Sequence, residues 1–198
     1  MLKGGIIVYP TETAYGLGCD AFNHRAINRI FKIKNRPKNL PLSVLVSSID
    51  MIETIAEVNI SAIKLIEKYH PGPLVIALPK KITIPDSVNQ NNIAFRISSN
   101  NFANSIVKLL NRPLISTSAN KSGEPTPYSV SEILDSFGET EIDAIFDVGK
   151  IPHRKPSTIV DFTLNPAPQI TREGGISAKD ILSYLNIPKA SWKLHLPK

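Results

Sequence analysis

Cysteine is almost missing from this chain: Cys19 is the only one in 198 residues, so no disulfide can form within it. Length substitutes for covalent staples, because a chain of this size buries enough surface to hold one domain together. The composition fits a reducing compartment and argues against a disulfide-built secreted domain, which leaves Cys19 as an expected buried, structural thiol. Long apolar runs are missing too, with none near the roughly 18 residues that span a bilayer. The opening MLKGGIIVYP lacks the shape of a signal peptide. The expectation is a cytoplasmic protein with no membrane partner.

Several catalytic signatures are also absent. Gly16-Leu-Gly18 is followed by Ala21 where a dinucleotide fingerprint would have its third glycine, and no GK[ST] follows, which excludes that fingerprint and a Walker A loop. The four histidines, His24, His70, His153 and His195, are scattered without metal-ligand spacing, so no protein-held metal is expected. No G-x-S-x-G nucleophile elbow occurs.

What is present is a regular exchange of short apolar runs with helical periods, the pattern of a mixed or largely parallel sheet covered by helices. Strands are predicted at residues 6–9, 42–46, 74–78, 93–97, 113–117, 142–146, 157–162 and 168–172. Ile27, Ile30, Phe31 and Lys34 recur at helical spacing and stop before Pro37, which predicts a helix with Lys34 at its C-terminal end. Further helices are predicted at about 50–58, 61–69 and 101–111. Another follows Ser129, with Glu132 at capping-box spacing and Gly138 as a left-handed cap, and a last one covers 178–185 after Ser177. No linker divides the chain, so one domain over 1–187 is expected, with 188–198 an exposed tail.

Four segments beyond strand ends carry hydroxyls, amides and cations: PTET (10–13), KNRP (34–37), STSANKSGEPT (116–126) and KPST (155–158). Arg96 inside IAFRI and Arg172 inside ITREG add charge, and an arginine in an apolar strand pattern needs a partner, because an unpaired buried guanidinium is costly. That partner could be a ligand carboxylate or phosphate. Each feature also has a structural reading. Thr11 and Thr13 could close a turn, Lys34 and Arg36 could complement a helix dipole, and Ser116, Ser118 and Asn120 could be turn formers. Glu12 and Glu124 could be acids or bases, although solvated surface carboxylates are the default. A site rich in cations and poor in nucleophiles suits substrates that attack each other while the protein aligns them, as in adenylyl transfer. The excess of lysine and arginine over acidic residues, 23 to 17 for a net charge of +6, suits phosphate-bearing partners.

In order along the chain, GGIIVYPTETAYGLGCDA, KIKNRPKNLPLSVLV, the PGPL turn, AFRIS, STSANKSGEPTP, PSTIVDF and ITREG resemble the short form of the YrdC/Sua5 family, from Gly4 to about Leu185. The resemblance implies a twisted, mixed α/β sheet of the YrdC-like type with flanking helices and a deep basic cavity. It implies an L-threonylcarbamoyladenylate synthase, a nucleotidyltransferase that condenses L-threonine, bicarbonate and ATP, with Mg²⁺ accompanying the ATP, to threonylcarbamoyl-AMP and pyrophosphate. The product would pass to downstream proteins that modify adenosine 37 of tRNA, with tRNA or double-stranded RNA contact as a further implication. By motif matching, Thr11, Arg96, Ser116 and Ser157 fall to the amino acid, and Lys34, Arg36, Ser118, Asn120, Thr126 and Arg172 to ATP. The chain departs from many relatives in carrying Leu45 where a histidine is common and Glu173 where a proline is common. Two other readings stay open: an RNA-binding module using the same basic concavity, although no aromatic stacking motif accompanies the basic segments, and a nucleotide-binding paralogue without this activity.

Overall fold

A computed structural model describes residues 1–138, 142–164 and 168–188. Ten of the residues expected as a tail, 189–198, lie outside the described residues. Among the described residues nine strands form one mixed sheet in the order β7-β1-β2-β6-β3-β5-β4-β8-β9. They are β1 (Ile7–Pro10), β2 (Tyr15–Gly18), β3 (Ser43–Leu45), β4 (Leu74–Pro79), β5 (Asn92–Arg96), β6 (Leu114–Ser118), β7 (Ala144–Ile145), β8 (Thr158–Asp161) and β9 (Gln169–Arg172). Six helices among the described residues flank them: α1 (His24–Ile33), α2 (Ile49–Ile55), α3 (Ile60–Tyr69), α4 (Asn101–Leu110), α5 (Val130–Phe137) and α6 (Ala178–Tyr184). The strand pairs β1–β7, β3–β5 and β4–β8 are parallel and the remaining pairs antiparallel, so the sheet is mixed rather than largely parallel.

Period-2 alternation divides the sheet into two unlike faces. On one face Val8, Leu17, Val44, Ile76, Phe95, Ile115 and Val160 join a large apolar cluster with residues from α1, α2, α3, α5 and α6. The opposite face carries a small cluster, Ile7, Tyr9, Leu45 and Leu114, under Ala103 and Val107 of α4. Beyond α4 that second face changes composition. Its side chains are Ser43 on β3, Ala77 on β4, Asn92, Ala94 and Arg96 on β5, Ser116 and Ser118 on β6, and Ile159 and Asp161 on β8, and these form the floor of a hollow.

One strand, β2, is not expected from the sequence, because two glycines are poor strand formers. Packing explains them. Tyr9 pairs with Gly16 across the β1–β2 hairpin, and its ring lies over both glycines. A Cβ on Gly18 would meet the Ile115 carbonyl oxygen at 2.2 Å and the Tyr9 ring at 3.0 Å. Helix starts follow their capping residues: Asn23, Ser48, Asn59, Asn100, Ser129 and Ser177 each accept a hydrogen bond from a first-turn amide. Two details differ from expectation. Glu132 accepts from the Tyr128 amide rather than closing a box on Ser129, and Gly138 has φ +64° with ψ −149°, a glycine conformation outside the left-handed helical region.

Candidate active site

The hollow on the polar face encloses about 480 Å³. Eight of the ten residues singled out in the sequence line it: Thr11, Arg36, Arg96, Ser116, Ser118, Thr126, Ser157 and Arg172. They arrive from the β1–β2 turn, the α1–β3 loop, β5, β6 and the segment after it, the approach to β8, and β9. Lys34 and Asn120 are not among the lining residues; they stand behind the wall.

The PTET turn is built by Thr11. Its hydroxyl donates to the Ala14 carbonyl (2.7 Å) and accepts from the amides of Thr13 and Ala14 (3.2 Å each). The same residue closes the hairpin through its own amide, 3.0 Å from the Ala14 carbonyl. The break after Pro10 is therefore a side-chain-closed turn that presents Thr11 and Thr13 to the hollow.

Lys34 caps the C-terminus of α1 and is 2% exposed. Its ammonium donates to the main-chain carbonyls of Ser118 and Asn120, both at 2.5 Å, and its own carbonyl accepts from the Ser122 amide at 2.7 Å. The lysine clamps the S-x-N segment from behind. Burial, with Arg36 adding repulsion, pulls its pKa down to about 7. Arg36, two residues on, turns into the hollow and is braced by the carbonyls of Leu40 (3.3 Å) and Pro41 (2.7 Å). Asn120 donates its amide to the Glu124 carbonyl (2.6 Å), while its Oδ1 is buried without a hydrogen bond.

Arg96 has a protein partner, and Glu12 is not the solvated carboxylate expected of a turn. The two side chains, each 8% exposed, form an ion pair between Nη1 and Oε1, while Ser98 donates its hydroxyl to Oε2. The same Nη1 also reaches Ser157 Oγ at 3.2 Å. Neither Nε nor Nη2 of Arg96 hydrogen-bonds another described residue. Arg172 donates Nε to the Ser157 carbonyl at 2.9 Å, so the two guanidiniums meet around Ser157. Burial draws both Arg36 and Arg172 below their ordinary pKa, but a guanidinium starts so high that both stay cationic.

Among the lining residues that sequence reasoning missed are Asn92, Tyr128, Arg154 and Asp161. Asp161 and Asn92 are recoverable from alternation alone, since Ser157–Ile159–Asp161 and Asn92–Ala94–Arg96 each share one sheet face. Tyr128 and Arg154 lie in irregular segments that carry no period. The segment after β7 is anchored by Tyr15, whose hydroxyl donates to the Gly149 carbonyl (2.7 Å) and accepts from the Val148 amide (3.0 Å), and by stacking of His153 on Tyr128. Cys19 is buried, and burial pushes its thiol up to about 12, which keeps it protonated and inert. Among the described residues no cluster of three His, Cys, Asp or Glu could hold a metal, and no helix is long and apolar enough to cross a membrane.

Comparison with known proteins bears on this arrangement. The Sua5/YciO/YrdC family model, described as "Telomere recombination", matches residues 1–174. A threonylcarbamoyl-AMP synthase of Pyrococcus abyssi is 34% identical over 90% of this chain, which spans 53% of that protein. A putative threonylcarbamoyl-AMP synthase of Methanocaldococcus jannaschii is 41% identical over 81% of this chain and 75% of its own length. Among solved structures, P. abyssi Sua5 complexed with L-threonine superposes with a TM-score of 0.86 at 34% identity, covering 92% of this chain and 54% of that one. Escherichia coli YciO gives 0.80 at 30% identity, covering 91% of this chain and 88% of that one. The chain thus spans about half the length of the P. abyssi protein it matches. It belongs to the Sua5/YciO/YrdC family.

Proposed function

We propose that this chain is a threonylcarbamoyl-AMP synthase, joining L-threonine, bicarbonate and ATP into threonylcarbamoyl-AMP with release of pyrophosphate and water. The observation that carries it is the single hollow into which Arg36, Arg96, Ser116, Ser157 and Arg172 converge from distant segments. Two relatives, 34% and 41% identical over the aligned residues, bear that activity in their names, one of them as putative, and one relative's structure is a complex with L-threonine.

In this reading the threonine carboxylate takes the Nε–Nη2 edge of Arg96, a fork suited to paired hydrogen bonds. Ser116, Ser157 and Thr11 hold the rest of the amino acid. Its ammonium releases a proton to solvent, the neutral amine attacks the carbon of bicarbonate, and hydroxide leaves with an amine proton as water, so that the carbamate forms. A carbamate oxygen then attacks the α-phosphorus of ATP and the bond to pyrophosphate breaks. Arg36, Arg172, Ser118 and Thr126 face the phosphates and stabilise the charge that develops. Lys34 contributes by fixing the Ser118–Asn120 segment from behind. Magnesium enters as part of the substrate, carried by the ATP phosphates; the one carboxylate lining the hollow among the described residues is Asp161, too few for a protein cage. A product with an activated carbamoyl group calls for a downstream transferase acting on tRNA, and the cationic rim suits RNA contact.

The test is pyrophosphate release by the purified chain. Release is expected when ATP, L-threonine and bicarbonate are present together. Release with ATP alone, or none with all three, would defeat the reading.

A further inference from the structure

Among the described residues four arginines line the hollow, Arg36, Arg96, Arg154 and Arg172, and of these four only Arg96 forms an ion pair with another described residue. Arg36 and Arg172 are braced by neutral main-chain carbonyls instead. Glu12 is held in place by Ser98 and is itself no lining residue, so it acts on the hollow through Arg96. The one lining carboxylate, Asp161, has its Oδ1 taken up by the amide and hydroxyl of Thr163.

We propose that Glu12 is a specificity-determining residue: by cancelling the charge of Arg96 it makes that corner of the hollow select a zwitterionic amino acid and reject a polyanion. The remaining arginines keep their net charge, and that part of the hollow holds the triphosphate. A cationic hollow of this size has an inherent sorting problem, because a nucleotide carrying several negative charges would compete for every guanidinium in it. An amino acid is net neutral. At a compensated guanidinium its carboxylate still finds the Nε–Nη2 edge, and its ammonium is attracted by the carboxylate behind. A polyphosphate finds little net attraction there and a buried negative charge within reach. Discrimination then comes from a repulsive element against the wrong ligand as much as from attraction to the right one.

This inference rests on the proposed placement of the amino acid at Arg96. Its test uses the full chain and calorimetric titration with three probes: L-threonine, 3-hydroxybutyrate, which keeps the carboxylate and hydroxyl but lacks the amine, and inorganic pyrophosphate. In the wild type L-threonine binds at least about tenfold more tightly than 3-hydroxybutyrate, the worth of one charge-assisted contact, and pyrophosphate does not compete with it. Glu12→Gln, close in shape and neutral, narrows that preference by about tenfold and lets pyrophosphate compete, whereas Glu12→Asp keeps the wild-type order. A purely structural role for Glu12 would weaken all three ligands together. An unchanged preference in a folded Glu12→Gln protein overturns the inference. So does pyrophosphate competition in the wild type, or 3-hydroxybutyrate binding as tightly as L-threonine, and both of these stand even where the variant does not fold. Each of these failures leaves three-substrate pyrophosphate release, and hence the synthase reading, intact; a wild type that binds no L-threonine ends both.

Discussion

Lys34 shows how a residue outside the lining of a hollow can shape its wall. Its buried ammonium donates to two main-chain carbonyls, the one of Asn120 buried and the one of Ser118 partly so, and both lose that charged donor without it. Lys34→Met, which keeps the stem, is expected to cost about 2–4 kcal/mol in urea unfolding and to weaken ATP binding through a looser 118–126 segment. His70 offers a second residue-scale expectation. Burial holds its folded pKa at about 4, below the ordinary 6.5, while its Nε2 lies 2.8 Å from the Leu74 carbonyl. The unfolded chain therefore takes up the proton first as pH falls. The contribution is fully present above about pH 6.5 and is lost between there and about pH 4, on the order of 3 kcal/mol. Unfolding free energies measured across that range should slope downward towards acid, and His70→Gln should flatten the slope. Of the charged residues in the site, Arg96 is legible in the sequence because an arginine interrupts an apolar alternation. Glu12 is not, because a glutamate between two threonines in a turn looks solvent-facing until the fold brings β5 against it.

At the scale of elements, the strands and helices that bury an apolar stripe are legible and β2 is not. Helix α1 follows directly from Ile27, Ile30 and Phe31, all in the core, and from Asn23 as cap. Asn23→Ala removes a 3.0 Å hydrogen bond to the Ala26 amide and should lower stability by about 1 kcal/mol in chemical denaturation. In β2 the glycines are there for the Tyr9 ring and the neighbouring backbone, a reason that exists only once β1, β2 and β6 are side by side. Gly18→Ala is expected to cost about 3 kcal/mol, because the obstructing atom is the carbonyl of Ile115 in β6 rather than a mobile side-chain tip. A variant as stable as the wild type in thermal unfolding would contradict the close packing described here.

At the scale of the whole molecule, the arrangement reduces to one asymmetry. Among the described residues five helices cover the apolar face of the sheet, a single helix covers part of the other, and the rest of that face is lined with serine, alanine, asparagine and arginine. That polar face was written into the strands as alternation, so the floor of the hollow was recoverable residue by residue. Its rim was not, because Tyr128 and Arg154 come from segments whose position is fixed by tertiary contacts such as the Tyr15 bonds to Val148 and Gly149. The central claim is that one hollow holds an amino acid at Arg96 beside a nucleotide at Arg36. Pyrophosphate release by Arg96→Ala and Arg36→Ala proteins, titrated with each substrate in turn, tests it most directly. The account predicts that Arg96→Ala raises the KM for L-threonine and leaves that for ATP near wild type, while Arg36→Ala does the reverse. Equal effects of both variants on both substrates, or wild-type kinetics in either, would contradict it.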